Sequence, residues 1–344
     1  MTRGSALRGV AASGGLDEVC ERIAVSDAVL PVGGRTQWEV GGVPGDGEEV
    51  AAPAGIVAYD PAELTVTVGA GTTAGELRAT LADSGQQCAL DPPDEDATVG
   101  GVLAAGLSGH RRLRVGPLRD LLLEVRFVTA RGSLVRGGGP TVKNVTGFDL
   151  CRLLVGSLGT LGLITQVTLR CAPLPAVSTW ATTTEAPGPV LGRLFRPSCV
   201  LHDGAHTRVL LEGNADDVTD QVRTAGLTPI DSPESPVAVS GRHRGRMSVP
   251  PGRLQRVAEE LAALRGVVAV SETGVGTVHV GTTDLDGFTA ARRVATDNGG
   301  WLLRVAGAPG VDPFGTDFPA SGVMRRVRAA FDPTGKFSPG RLPL

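Results

Sequence analysis

Aromatic residues and cysteines are scarce in this chain of 344 residues. Only 3% of the residues are Phe, Trp or Tyr, so the core must be built mainly from Val, Leu and Ala. The five cysteines are scattered, and no two of them have the C-x-x-C spacing of a zinc ribbon or a dithiol redox site. Their odd number argues against a secreted disulfide framework, and unclustered cysteines provide no ligand set for an iron–sulfur centre.

Long apolar runs and a strong charge bias are missing as well. No uninterrupted apolar stretch approaches the ~18 residues of a membrane span, and residues 1–12 lack the apolar core of a signal peptide. The net charge is −3, which gives no basic field for nucleic acid or for an anionic membrane. We therefore expect a cytoplasmic protein with no integral membrane segment and no nucleic-acid partner.

Glycine, in contrast, is abundant, with 49 residues. This content predicts many tight turns and close backbone approaches. At about 150 residues per domain, the length predicts two domains. Pro173 and Pro175 mark the expected boundary, because the strands and helices that follow alternate as in a small αβ sandwich. Two strand–helix units in that second part suggest a weak internal repeat.

One glycine motif, taken alone, indicates a different fold. Residues 69–74 match the G-x-G-x-x-G/A fingerprint, follow a predicted strand and lead into a helix with the capping-box pair Thr73 and Glu76. Asp91 stands about 20 residues on, where a Rossmann domain holds its ribose-binding acid. Two prolines follow that acid instead of another crossover, which counts against an NAD-binding Rossmann domain. The remaining alternative is that the glycines are only turn residues.

Glycine-rich stretches recur in the first part of the chain, at 31–37, 69–72, 98–101 and 156–162. A pyrophosphate needs exposed backbone N–H donors and no Cβ in the way. Each stretch alone could be a structural turn. Four of them in one lobe, each beside a predicted strand or helix, suit a long dinucleotide that lies across that lobe.

Taken in order, these stretches resemble the FAD lobe of the vanillyl-alcohol oxidase superfamily, and most closely the FAD-binding subunit of glycolate oxidase. Further matching segments are 58–64, 91–93, 106–112, 116–120, 142–149 and 331–342. The resemblance implies an α+β fold: a PCMH-type FAD-binding domain of two αβ subdomains with an inserted, smaller αβ cap domain. The expected division is 1–175 for the FAD-binding domain, 176–315 for the cap and 316–344 for a C-terminal segment that returns to the FAD domain.

The resemblance also implies cofactor-binding residues. The first glycine loop and the segment at 98–101 would wrap the FAD phosphates, while the turn at 108–109 and the segment at 162–164 would line the flavin. The residues expected to contact FAD are Gly33, Gly34, Arg35, Thr36, Gln37, Pro92, Thr98, Gly100, Gly101, Ser108, Gly109, Gly159, Gly162 and Ile164.

Three departures from the family pattern bear on the chemistry. Arg35 stands where relatives usually have a third loop glycine, so it adds strain if the site needs a positive φ. Its side chain either supplies a cation to the phosphates or points to solvent. Leu158 stands where catalytic relatives often carry Glu. Covalent members often have a histidine in the first loop, and none is present here, so we expect FAD to be bound without a covalent link.

Candidates for a catalytic base are few. His110 follows the turn at 108–109 and is a weak candidate, with an ordinary loop histidine as the alternative. His202 and His206 have a ligand spacing only if they are helical, and no third ligand is visible, so no metal site is predicted. His243 lies in a basic run that is predicted to be a solvated loop.

The leading hypothesis is an FAD-dependent oxidoreductase that acts on CH–OH donors, as the flavoprotein subunit of a glycolate oxidase-like 2-hydroxy-acid dehydrogenase. The implied partners are a small 2-hydroxy-acid or alcohol substrate, a second flavoprotein and an iron–sulfur subunit. The alternatives are a non-catalytic FAD-holding partner subunit and a stand-alone FAD-dependent alcohol oxidase. The histidine metal pattern of catalytic relatives is not visible, which weakens the case for independent catalysis. Lys143 and Arg119 fall in matched segments but could equally be structural ion pairs.

Overall fold

The first part of the chain is organised around an antiparallel sheet with the strand order β1-β4-β5-β9-β7-β8. The computed structural model describes residues 7–8, 14–139, 149–315 and 320–342. The elements of this part are β1 (Leu7–Arg8), α1 (Gly14–Val25), β2 (Val29–Val32), β3 (Glu48–Ala51), β4 (Ile56–Asp60), β5 (Thr65–Gly69), α2 (Ala74–Ala82), β6 (Gln86–Gln87), α3 (Val99–Ala105), α4 (Arg112–Val115), β7 (Leu122–Val128), β8 (Leu134–Gly138), α5 (Leu150–Leu154), β9 (Leu163–Arg170) and β10 (Ala172–Pro173).

Strands β7 and β9 run through the core of this sheet. Both are rich in apolar residues, and most of their residues are buried, as expected for strands covered on both faces. Helix α3 packs against β9, and α5 packs against β7 and β8. The strands predicted at 121–129 and 163–169 are therefore confirmed, with ends that differ slightly from the predicted ones.

A second, smaller unit holds the first glycine loop. Strands β2 and β3 pair in parallel, and Val29 and Val50 are fully buried between them and Ile23 of α1. The same apolar cluster includes Val128 and Leu163 of the large sheet. The loop that leaves β2 is thus fixed between two packed layers.

The Rossmann alternative is excluded by the strand directions. Strand β5, which precedes the glycine motif, is antiparallel to both of its neighbours, β4 and β9, whereas a Rossmann unit requires parallel strands. A Cβ on Gly69 would lie 2.4 Å from the Pro53 carbonyl oxygen, so this glycine serves close backbone packing. The predicted capping box is confirmed, because the Thr73 side chain accepts from the Glu76 N–H and the Glu76 carboxylate accepts from the Thr73 N–H.

The second part of the chain forms an antiparallel sheet with the order β14-β11-β13-β12-β16-β17-β15-β18. Its elements are β11 (Val177–Thr183), α6 (Pro187–Arg193), β12 (Cys199–His202), β13 (Thr207–Gly213), α7 (Ala215–Thr224), β14 (Thr228–Ile230), β15 (His243–Ser248), α8 (Leu254–Ala262), β16 (Val267–Glu272), β17 (Thr277–Thr282), α9 (Leu285–Asp297) and β18 (Trp301–Ala306). The suspected internal repeat is present: β11 to β14 and β15 to β18 each follow the order βαββαβ, and the halves join where β12 pairs with β16.

The C-terminal segment packs on the first part of the chain. After helix α10 (Ser321–Phe331), the Asp332 carboxylate accepts from the backbone N–H groups of Lys336 and Phe337 at 3.0 and 2.8 Å. Phe337 is fully buried in the cluster with Val29, and the two residues form a parallel bridge. The exact division of the chain into domains stays a prediction. The matched segment at 142–148, with Lys143, lies outside the described residues.

Candidate cofactor site

A narrow cleft lies between the first glycine loop, the start of α3 and the segment that leads into β9. Its volume is about 100 Å³. Of the residues predicted to contact the cofactor, it is lined by Gly33, Gly34, Arg35, Thr36, Gln37, Thr98, Gly100, Gly101, Gly159, Gly162 and Ile164. The cleft therefore brings three of the glycine-rich stretches together, and Gly71 of the fourth also lines it.

The first two loop glycines are required for packing. A Cβ on Gly33 would lie 2.1 Å from the Thr98 side-chain oxygen, and one on Gly34 would lie 2.2 Å from the Asp96 carbonyl oxygen. Both distances are far inside van der Waals contact, so any other residue would push the loop away from the start of α3. These glycines set the width of the cleft.

Arg35, which stands where relatives usually have a glycine, adopts the left-handed conformation, with φ 57°. Such a conformation costs a non-glycine residue about 1 kcal/mol. The side chain forms an ion pair with Glu49 on β3 and lies 5.0 Å from the ring centroid of Trp38. Its guanidinium is half exposed, so Arg35 is neither free in solvent nor a dedicated cation for the cleft.

The backbone of the first loop offers a set of free donors. Within the described part of the chain, the N–H groups of Gly34, Arg35, Thr36 and Gln37 donate to no acceptor. Successive unpaired N–H groups around a left-handed residue form the kind of concave nest that binds anions. The Gln37 side-chain oxygen is also buried without a hydrogen-bond partner in the described part of the chain.

The start of α3 contributes in a different way from that predicted. The N–H groups of Val99 and Gly100 donate to the Thr72 and Ala70 carbonyl oxygens, each at 2.8 Å, and the Gly101 N–H donates to the Thr98 side chain at 3.2 Å. These amides are already used within the protein. Gly100 and Gly101 therefore supply surface without a Cβ, while the first loop has the unpaired N–H groups.

The third wall of the cleft is the segment at 158–164. Leu158 has φ 53° and Gly159 has φ 71°, so this segment turns sharply before β9 begins. A Cβ on Gly162 would lie 2.7 Å from the Val128 carbonyl oxygen and 2.8 Å from the Phe127 ring. Gly162 is thus fixed by packing against β7 as well as by its place in the cleft.

A cation from the far end of the chain completes the cleft. Arg341 is only 7% exposed, and its guanidinium donates to the carbonyl oxygens of Trp38 (2.8 Å) and Val40 (3.1 Å). No carboxylate lies within 4 Å of it in the described residues, and burial lowers the pKa of Arg341 to about 10. The tail matched the family pattern in sequence, but Arg341 was not predicted as a site residue. Nothing in the local sequence shows that it reaches a loop about 300 residues away.

The remaining predicted residues lie outside the cleft lining. The Ser108 hydroxyl accepts from the Leu118 N–H at 3.2 Å, and Gly109 and Pro92 lie beside Asp91. The His110 ring is 5.9 Å from Trp180 on β11, and burial lowers the pKa of His110. His110 thus lies at the junction between the two sheets, and the assignment of Ser108, Gly109 and Pro92 to the cofactor stays a prediction.

The same junction holds a buried ion pair. Arg111 donates to Asp91 from Nε at 2.8 Å, and a second contact reaches the Glu212 carboxylate on β13 at 3.4 Å. The side chains are only 13%, 10% and 9% exposed. Arg111 therefore links the first sheet to the second through two carboxylates.

The other histidines and Arg119 lie away from the cleft. The prediction of a solvated basic loop around His243 is wrong: His243 begins β15, is 4% exposed and accepts from the Ala308 N–H at 2.8 Å. His202 lies in β12 and His206 in the following turn, so they do not share a helix. Arg119 is half exposed, 3.9 Å from Asp120.

In the described ranges, no group of three His, Cys, Asp or Glu could hold a metal ion, and no helix has the length and apolarity needed to cross a bilayer.

Comparisons with known proteins identify the first part of the chain. Residues 16–138 match the family model described as FAD binding domain. The chain is 39% identical to glycolate oxidase subunit GlcE of Escherichia coli (strain K12) over 166 residues, 47% of this chain and 47% of that protein. It is 41% identical to D-lactate dehydrogenase of Archaeoglobus fulgidus over 105 residues, 30% of this chain and 24% of that protein. The chain thus spans half or less of the length of these relatives.

The fold is also found among solved structures. Alkyldihydroxyacetonephosphate synthase superposes with a TM-score of 0.68, covering 94% of this chain and 74% of that chain at 14% identity. At that identity the likeness concerns the fold alone, and with the family match it confirms the predicted PCMH-type α+β fold. Residues 16–138 therefore match the FAD binding domain family, and this match supports FAD as the cofactor.

Proposed function

We propose that this chain is an FAD-dependent oxidoreductase of 2-hydroxy acids, working as the flavoprotein subunit of a glycolate oxidase-like complex. The observation that carries the proposal is the run of unpaired N–H groups at Gly34–Gln37 inside a segment that matches the FAD binding domain. Relatives named glycolate oxidase subunit and D-lactate dehydrogenase support the substrate class. Oxidation of a 2-hydroxy acid to its 2-oxo acid releases two electrons and two protons, and bound FAD supplies the electron acceptor.

The residues of the chain would hold and orient the cofactor. In this proposal the N–H groups of the first loop bind the phosphates, and Arg341 balances their charge from the opposite end of the chain. Gly101, Gly159 and Gly162 provide surface that the cofactor can approach closely. The described lining of the cleft contains neither histidine nor cysteine, which supports a cofactor held without a covalent link.

The second candidate is a partner subunit that holds FAD but does not oxidise the substrate itself. It is favoured by the lack of a base: among the lining residues that the structure describes, the charged ones are Arg35 and Arg341. His110, the weak candidate from the sequence, packs on Trp180 outside this lining. We therefore propose that turnover depends on a second flavoprotein and an iron–sulfur subunit.

The two candidates are separated by stopped-flow flavin reduction. The purified chain, loaded with FAD, is mixed with glycolate or D-lactate, alone and after co-expression with a catalytic flavoprotein and an iron–sulfur subunit. Slow or absent bleaching alone, with rapid bleaching in the assembly, is the result expected. Rapid bleaching of the isolated chain would make it a self-sufficient dehydrogenase. Absence of a flavin spectrum in the purified, FAD-supplemented chain would contradict both candidates.

A further inference from the structure

A wide cavity adjoins the cofactor cleft. Its volume is about 680 Å³, well within the ~300–1,000 Å³ of pockets that enclose whole small-molecule ligands. It lies between the segment at 105–107, the segment at 153–161, β18 and α10. Ala105 and Leu158 line both the cleft and the wide cavity, so a ligand in the cavity would lie next to a bound cofactor.

The walls of the wide cavity are mostly apolar. They include Leu107 and Leu161 from loops of the first part of the chain, Leu303 from β18, Phe314 from the segment after β18, and Met324 from α10. A two-carbon acid such as glycolate has no side chain to cover this surface. Apolar surface that stays in contact with water adds nothing to the free energy of binding, whereas each methylene group buried against it makes binding more favourable.

Polar side chains interrupt the apolar walls at Ser157, Thr160, Trp301 and Arg328, and the Thr160 hydroxyl already donates to the Ser157 carbonyl oxygen at 2.7 Å. Arg328 on α10 is half-buried, is the charged residue among the described lining residues, and forms no ion pair within the described part of the chain. Ser157 is only 7% exposed, and its hydroxyl is buried without a hydrogen-bond partner. A buried hydroxyl without a partner in the protein can pair with a water or with a polar ligand atom only if its side chain turns toward the cavity. The cavity is therefore complementary to a molecule with an apolar body and an anionic end.

We propose that the wide cavity is the substrate site and that it takes 2-hydroxy acids with an apolar side chain of about six carbons, not glycolate. The type of reaction in this inference rests on the proposed function, and the preference for an apolar side chain rests on the size and lining of the cavity. The Arg328 guanidinium binds the carboxylate. Leu158, which separates the cavity from the cleft, adds an apolar surface next to the cofactor.

Binding and oxidation are tested with separate probes. Octanoate and acetate, which lack the 2-hydroxyl group and cannot undergo this oxidation, are titrated into the FAD-loaded full chain by calorimetry and by perturbation of the flavin absorbance. Because each buried methylene tightens binding by roughly fourfold, octanoate should bind at least about a hundredfold more tightly than acetate. 2-Hydroxyoctanoate and glycolate are then compared as reductants of the co-expressed assembly.

Matched variants on α10 test the assignment. Arg328→Gln should weaken octanoate binding about tenfold and leave 1-octanol binding unchanged, because only the acid uses the guanidinium. Arg325→Gln, exposed on the same helix and outside the cavity lining, should change neither. Met324→Trp, which fills the cavity, should weaken octanoate more than acetate. Affinity that is independent of chain length, or unchanged by both cavity variants, would overturn the inference.

The outcomes also separate this inference from the proposed function. If octanoate binds with the expected chain-length dependence but no 2-hydroxy acid bleaches the flavin of the assembly, the cavity assignment stands and the proposed reaction is wrong. If glycolate and 2-hydroxyoctanoate bleach the flavin equally well, the reaction stands and the cavity does not select the side chain.

Discussion

Arg341 holds the backbone of Trp38 in place from the opposite end of the sequence, donating to its carbonyl oxygen at 2.8 Å while the guanidinium lies 5.1 Å from its ring centroid. The contact joins the C-terminal segment to the loop that carries the free N–H donors. A buried cation without a carboxylate partner is unfavourable unless a ligand supplies the missing negative charge. FAD affinity should therefore depend on a residue far outside the matched FAD binding domain.

Replacing Arg341 with Met should raise the Kd for FAD by about ten- to a hundredfold, the loss of one charge-assisted hydrogen bond. Arg341→Lys should recover part of that affinity, because it keeps the charge but loses the two-carbonyl contact. Fluorescence quenching of added FAD gives the Kd. Arg35→Met is the control, since Arg35 is paired with Glu49, and it should have the smaller effect. An Arg341→Met protein with the affinity of the wild type would remove Arg341 from the site.

The pH dependence of FAD binding follows from the same residue. Burial lowers the pKa of Arg341 to about 10 in the free protein, and a bound phosphate favours the protonated form. Affinity should therefore be constant below that pH and fall as the pH rises through about 10, where the cation is lost. Titrations of wild type and Arg341→Met should be compared, because ionisation of the flavin itself affects both equally. A fall of the same size in both proteins would contradict the assignment.

Two glycines of the cleft should respond differently to valine. A Cβ on Gly101 meets only the Thr98 side-chain oxygen, at 3.0 Å, and the residue is exposed, so Gly101→Val should weaken FAD binding with little loss of stability. Gly162 has φ 151° and backs onto the Val128 carbonyl oxygen, so Gly162→Val should impair folding itself. Thermal unfolding of the apoprotein, read beside FAD occupancy, distinguishes the two effects. Full FAD occupancy in Gly101→Val would mean that the phosphates do not pass this residue.

The link between protein and FAD should be non-covalent. The first loop lacks histidine, and the described cleft lining has no cysteine. Acid precipitation of the holoprotein should leave the yellow colour in the supernatant, where mass spectrometry should identify intact FAD. Colour that stays with the pellet would show a covalent flavin, with a residue outside the described lining as its attachment point.

Local signals in the sequence predicted local structure well. The Thr73 and Glu76 pair, the glycine spacing of the first loop and the positive φ considered for Arg35 all depend on residues that are close in sequence. The sequence did not show which backbone N–H groups are free to bind a ligand. The N–H groups of Val99 and Gly100 donate to carbonyl oxygens of the segment at 70–72, which is distant in sequence. The prediction of a solvated loop around His243 was wrong because it also depended on contacts that are distant in sequence. The charged neighbours of His243 suggested a loop, but β15 pairs with β17 and β18 and is therefore a strand in which His243 is buried.

The ion pair between Arg111 and Asp91 should be a large contribution to stability that the sequence alone does not show. Asp91→Asn leaves the buried guanidinium with only the more distant Glu212 carboxylate, and breaking a buried pair on one side costs about 3–5 kcal/mol. Asp91 has φ 45°, a conformation that Asn tolerates, so the substitution tests the charge and not the backbone. The free energy of unfolding should be measured by urea titration. Asp220→Asn, which breaks an exposed pair with Arg223, is the matched control and should cost under about 0.5 kcal/mol. Equal losses in the two variants would show that the Arg111–Asp91 pair is as weak as a surface pair, and that other contacts hold the two sheets together.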